Sequence, residues 1–99
     1  MKLIMAIALS FALTNAHASE VCDRIKSLTS TIITAKYRGA TEEAVLEATS
    51  TDNQQLQIVL EALIKGIYDL PNYSGAFRQK RQSDDAANET YRLCIHAGI

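Results

Sequence analysis

HASEVCDRIK, residues 17–26, places Cys22, the first of two cysteines, four residues beyond Ala18. That cysteine could carry a lipid, ligate a metal, attack a substrate or pair with Cys94. The residues before it set the context. Lys2 precedes an apolar run from Leu3 to Leu13, Thr14 and Asn15 turn polar, and Ala16-His17-Ala18 forms a small-x-small site. This is the three-part layout of a secretory signal peptide. The apolar run falls short of the roughly 20 residues needed to span a bilayer. The reading is a signal peptide over residues 1–18, cleaved after Ala18, and a single helical domain over 19–99, placed in the periplasm or secreted.

That context sorts the four roles. Lipid attachment calls for small and aliphatic residues directly before the cysteine, and Glu20 is badly placed for it. Zinc needs about four clustered Cys, His or carboxylate ligands at short spacings. Two distant cysteines and His96 do not supply them, so no metal or other cofactor is expected. A cysteine–histidine nucleophilic pair is formally open. However, His96 follows Cys94 by two positions, and such residues point to different sides of a helix. The remaining role is a Cys22–Cys94 disulfide, as expected for an even cysteine count in an oxidising compartment. It would close nearly the whole mature chain, which the chain-entropy model equates with roughly 4 kcal/mol. A domain of this size has a small core, so such a staple matters.

From Cys22 outward, Val21, Ile25, Leu28, Ile32 and Ala35 recur at helical spacing. The hydroxyl and β-branched residues from Ser27 to Thr34 weaken that helix, and a strand over Thr29–Thr34 is the competing assignment. Gly39 is a suitable stop. Thr41 is a good N-cap for a short helix ending near Thr49, with Glu42 and Glu43 favourable in its first turn. Thr51 and Gln54 have capping-box spacing. They precede a wide apolar face: Leu56, Val59, Leu60, Leu63, Ile64, Ile67, Tyr68 and Leu70. Gly66 suggests close approach by a neighbour, and Pro71 ends the helix. A last helix is expected to start near Ser83, with Asp84 and Asp85 in its first turn and Ala87, Tyr91, Cys94 and Ile95 facing inward. The prediction is an all-α fold, a small bundle of about four helices with its terminal helices linked by the disulfide.

Composition narrows function. Loss of Lys2 with the signal peptide takes the cations from 10 to 9 against 11 acids, a net charge of −2. That argues against nucleic acid and anionic membrane as partners, and no later run is long enough to hold the mature chain in a membrane. The acid pairs Glu42–Glu43 and Asp84–Asp85 read as helix-start residues, since adjacent positions do not face each other. No nucleophile elbow, phosphate loop or zinc helix is present. An enzyme is therefore not expected. The densest positive patch is Arg78, Lys80 and Arg81, interleaved with Tyr73 and Phe77, and it reads as a contact surface for another protein of the cell envelope.

Four short elements carry a resemblance: Cys22; Tyr37-Arg38-Gly39; Tyr68-Asp69-Leu70-Pro71; and Tyr91-Arg92-Leu93-Cys94. In these the chain resembles a group of small exported proteins common in Gram-negative bacteria. That group has a cysteine-bearing first helix, an arginine–glycine element, a Tyr-x-x-Pro element and a final helix with an aromatic residue and a cysteine. Its members usually carry a further residue between arginine and glycine, absent here. The resemblance implies export and a helical fold, and no particular activity. Acid-activated periplasmic chaperones and small periplasmic inhibitors share the overall plan, although the typical cysteine spacing and tryptophan of those chaperones are missing. The functional expectation is a non-enzymatic protein-binding or inhibitor-type module, with an acid- or envelope-stress chaperone as the alternative.

Overall fold

A computed structural model describes residues 18–97. The signal-peptide assignment falls almost entirely outside these residues, as does Gly98, the expected stop of the last helix. Four helices follow one another: α1 (Ala18–Tyr37), α2 (Glu42–Ala48), α3 (Gln54–Tyr68) and α4 (Ala76–Ala97). No strand occurs among the described residues.

α1 is the spine. Ile25, Leu28, Ile32 and Ile33 from its inner side are buried with Val45 of α2 and Leu60, Ile64 and Ile67 of α3. α2 and α3 pack on α1 and on each other, whereas the backbone of α4 approaches α1 alone. The four-helix count agrees with the sequence reading, but α4 lies along one partner rather than in a ring of neighbours. Both cysteines are buried and bonded, Cys22 to Cys94, with Cα atoms 5.6 Å apart. The start of α1 is thereby fixed to the end of α4, which requires the two helices to run antiparallel.

The run that competes with helix in α1 is helical throughout. Its threonine hydroxyls donate to carbonyls one turn back: Thr29 to Ile25 O (2.8 Å), Thr31 to Ser27 O (3.0 Å) and Thr34 to Ser30 O (3.0 Å). Back-bonding satisfies each hydroxyl locally, so fully buried Thr29 leaves no polar atom stranded. α1 ends at Gly39, whose φ of +96° needs no Cβ, with Ala40 N donating to Ala35 O across it (3.0 Å).

Thr41 caps α2 as expected, its Oγ1 accepting from Ala44 N. α3 departs from expectation at its start. Asn53, not Thr51, is the N-cap, and its Oδ1 accepts from Leu56 N (3.0 Å). Thr51 lies outside the helix, where its backbone N–H donates to Gln57 Oε1 (2.9 Å). Gly66 is exposed and a Cβ there would meet no atom within 4 Å, so it permits no close packing.

The largest difference is in α4, which begins at Ala76, two turns before Ser83. The chain from Phe77 to Gln82 is rich in Arg, Gln and Lys, all good helix formers, and Gly75 at φ +90° sets the start. Asp84 and Asp85 therefore sit inside the helix and not in its first turn, which contains no acid. Ala87 and Cys94 are buried as expected, but Ile95 is 40% exposed because Cys94 takes the position facing α1.

Candidate protein-binding surface

At the end of the molecule opposite the disulfide, the last turn of α1 meets the carboxyl end of α3 on one side and the first turns of α4 on the other. Lys36 of α1 reaches the carboxyl end of α3 and donates from Nζ to Ile67 O (3.0 Å) and Leu70 O (2.7 Å). It satisfies the Leu70 carbonyl and adds a second donor to Ile67 O, which also accepts from Leu70 N (3.1 Å). Burial lowers the Lys36 pKa, with Asp69 opposing that shift. In return the Tyr68 hydroxyl donates to Ala40 O (2.6 Å) in the α1–α2 connection. Burial, followed by the Glu42 charge, raises the Tyr68 pKa.

Tyr37 organises the connection between α3 and α4. Its hydroxyl donates to Gln82 Oε1 (2.5 Å) and accepts from Tyr73 N (2.9 Å). Gln82 Nε2 donates to Pro71 O (2.7 Å), and Gln79 Nε2 donates to Tyr73 O (2.8 Å). The Tyr37-Arg38-Gly39 and Tyr68–Pro71 elements are thus neighbours at this end, while Cys22 and Tyr91–Cys94 meet at the other.

This scaffold displays the five residues singled out from sequence. Tyr73, Phe77, Arg78, Lys80 and Arg81 are all exposed, Phe77 to 77%. The Arg78 guanidinium lies 5.3 Å from the Tyr73 ring centroid, within cation–π range. Phe77 and Arg81 share a face one turn apart. Lys80 pairs with Asp84 at 3.1 Å, both largely exposed. With lysine preceding its acid, this is the weaker orientation of such a pair. Arg78 and Arg81 form no salt bridge with any described residue. Arg78 thus lies in the first turn of α4, where the helix dipole disfavours positive charge, with Lys80 and Arg81 in the turn that follows.

Two grooves adjoin this surface. One, of about 690 Å³, lies between α1 and α2, floored by small residues such as Ala35, Ala44 and Ala48. The other, of about 510 Å³, lies between α1 and the first turns of α4 and is rimmed by Arg38 and Lys80. Ser30 and Thr34 of α1, with Arg38 just past its end on the same ridge, form a wall of both. Sequence reasoning missed Arg38, Tyr37 and Gln82 as contributors here. Tyr37 and Arg38 figured in the sequence reading only within the Tyr37-Arg38-Gly39 element of a resemblance, and none of the three acquires a role here until distant segments meet.

Chemically, the arrangement offers hydrogen-bond donors, positive charge and an exposed ring. Both cysteines are held in the disulfide, and His96 is exposed. Among the described residues, no three His, Cys, Asp or Glu side chains gather where they could hold a metal. No described helix is long and apolar enough to cross a membrane. No family model matches the chain, and neither does any curated protein or solved structure.

Proposed function

We propose that this is a non-enzymatic, exported protein-binding module that contacts its partner through Tyr73, Phe77, Arg78, Lys80 and Arg81. One observation carries the reading: an exposed aromatic and cationic surface is held in place by hydrogen bonds among α1, α4 and the connection between α3 and α4, although Arg78 in the first turn of α4 opposes the local helix dipole. Local conflicts of that kind concentrate at functional sites. Tyr, Phe and Arg side chains are also the types enriched at protein interfaces. Export is supported by the N-terminal sequence pattern and by the buried bridge, which belongs to an oxidising compartment.

The test is a crosslinking capture from periplasmic extract with the mature protein and with Arg78→Glu/Arg81→Glu. A discrete protein captured by the first and lost from the second supports the reading. Equal capture by both removes the surface from consideration.

An acid-stress chaperone is the second reading, favoured by the single-partner packing of α4. Neutralising the 11 carboxylates leaves the cations unopposed, and that repulsion would loosen α4, which has a single packing partner. Aggregation of a client protein at about pH 2–3, with and without this protein, decides it. Absence of protection dismisses it.

A further inference from the structure

The groove between α1 and α4 adjoins the contact surface and has its own chemistry. Its walls present the Arg38 guanidinium, the Lys80 ammonium and the hydroxyls of Ser30 and Ser83. Arg38 forms no salt bridge with any described residue. The groove's one carboxylate, Asp84, is held at 3.1 Å by Lys80. Thr34 Oγ1 already donates to Ser30 O, and Gln79 Nε2 donates one of its two N–H groups to Tyr73 O. The groove carries two cations against one carboxylate, whose Oδ2 Lys80 engages, and so has a surplus of donors and positive charge. Its occupant should supply acceptors: peptide carbonyls and carboxylates. Its volume of about 510 Å³ falls within the range of ligand-binding clefts. Small side chains on both walls, Ser30 on α1 and Ala76 and Ser83 on α4, leave room for a backbone.

We infer that this groove receives an acidic peptide segment of the partner, with Arg38 as the principal carboxylate-binding residue and exposed Phe77 beside it as an apolar contact. The inference rests on the protein-binding reading above and adds to it a groove, a residue from α1 and the chemistry of what is bound. Guanidinium is suited to this role because its planar fork accepts a carboxylate in two parallel hydrogen bonds.

The test is an amide NMR titration of the mature, disulfide-bonded protein. The probe is a short peptide in which glutamate alternates with leucine, with its glutamine-for-glutamate counterpart as control. The glutamate peptide is expected to shift the amides of Ser30, Thr34, Arg38 and the Gln79–Ser83 turn, and the control to shift none of them. Arg38→Gln, a change at an exposed position, should weaken binding roughly tenfold, the loss of a charge-assisted hydrogen bond. Ser83→Trp, which fills the groove, should abolish binding while leaving the helical circular dichroism unchanged. Added salt should weaken binding of the glutamate peptide. Shifts confined to Phe77, Arg78 and Arg81, with Arg38→Gln and Ser83→Trp binding as well as the parent, would overturn the groove and leave the surface reading intact. Equal binding of both peptides would overturn the charge basis. No shift with the glutamate peptide overturns the groove, and capture by the parent but not by Arg78→Glu/Arg81→Glu then still upholds the surface.

Discussion

Removing the disulfide is the most informative single perturbation. Cys22 and Cys94 are 72 positions apart, so the bridge restrains almost the entire chain that follows Ala18. Loop-closure entropy for that separation corresponds to about 4 kcal/mol at room temperature. A domain of about 80 residues has a total stability of only about 4–12 kcal/mol. The bridge therefore accounts for a third or more of what keeps the protein folded. Cys22→Ala/Cys94→Ala removes it without leaving thiols, and the cavity from two lost sulfurs adds a further, smaller penalty. Urea unfolding followed by circular dichroism should show a large fall in midpoint, or a chain already partly unfolded in buffer. The structure also fixes the kinetics. Cys22 and Cys94 are 0% and 4% exposed, so a reductant must wait for the chain to open. Reduction should be slow in buffer and accelerate steeply through the unfolding transition. A stability loss below about 1 kcal/mol for the double variant would refute the entropic argument. Reduction as fast in buffer as in denaturant would refute the burial argument.

Further outcomes follow from the opposite end. Lys36→Met keeps the aliphatic stem but removes both hydrogen bonds to the end of α3. It should destabilise by about 1.5–3 kcal/mol, the range for charged donors, and speed hydrogen exchange around residues 67–73. Tyr68 has a folded pKa above its ordinary value of 10.0, so its contribution is fully present below pH 10 and is lost as pH rises through the folded value. Lys36 has a folded pKa below 10.5, so between those two values the unfolded chain binds more proton and stability rises with pH. Alkaline unfolding curves of the parent, Tyr68→Phe and Lys36→Met should separate these opposed effects: Tyr68→Phe should show a smaller loss above pH 10, and Lys36→Met a steeper one. Gly66→Ala, at an exposed helical position with open space for a Cβ, should stabilise by about 0.5–1 kcal/mol in the same urea assay. A loss of stability there would mean that a neighbour does pack on Gly66.

The elements readable from sequence are those whose buried faces repeat at helical spacing. Ile25, Leu28 and Ile32 mark α1, and Leu60, Ile64 and Ile67 mark α3; all six are in the core. Thr41 was legible because one residue both ends the connection and caps α2. The start of α4 was not legible, since Ala76 to Ser83 buries little and its helix rests on propensity and on Gly75. Thr51 and Asn53 are both good caps, and only the position of the Asn53 carbonyl oxygen against Leu56 N separates them. Ile95 was misplaced because adjacent helical positions differ by roughly 100° around the axis, and Cys94 is the one held to α1. The candidate surface was visible because its five residues nearly adjoin in the chain. Arg38 was not, since only tertiary packing brings it beside Lys80.

The packing of α4 has an evolutionary consequence. The helix is tied to α1 by the bridge near its end and by Gln82 near its start, and its outer side has no duty in the core. Substitutions on that side change what the molecule displays without changing what keeps it folded. Stability and recognition are therefore encoded at separate positions of one helix. A lineage carrying this fold could exchange one binding preference for another by altering a few exposed α4 residues, with no repacking to accompany each change. For the same reason, it is the natural face on which to build altered specificities by directed selection.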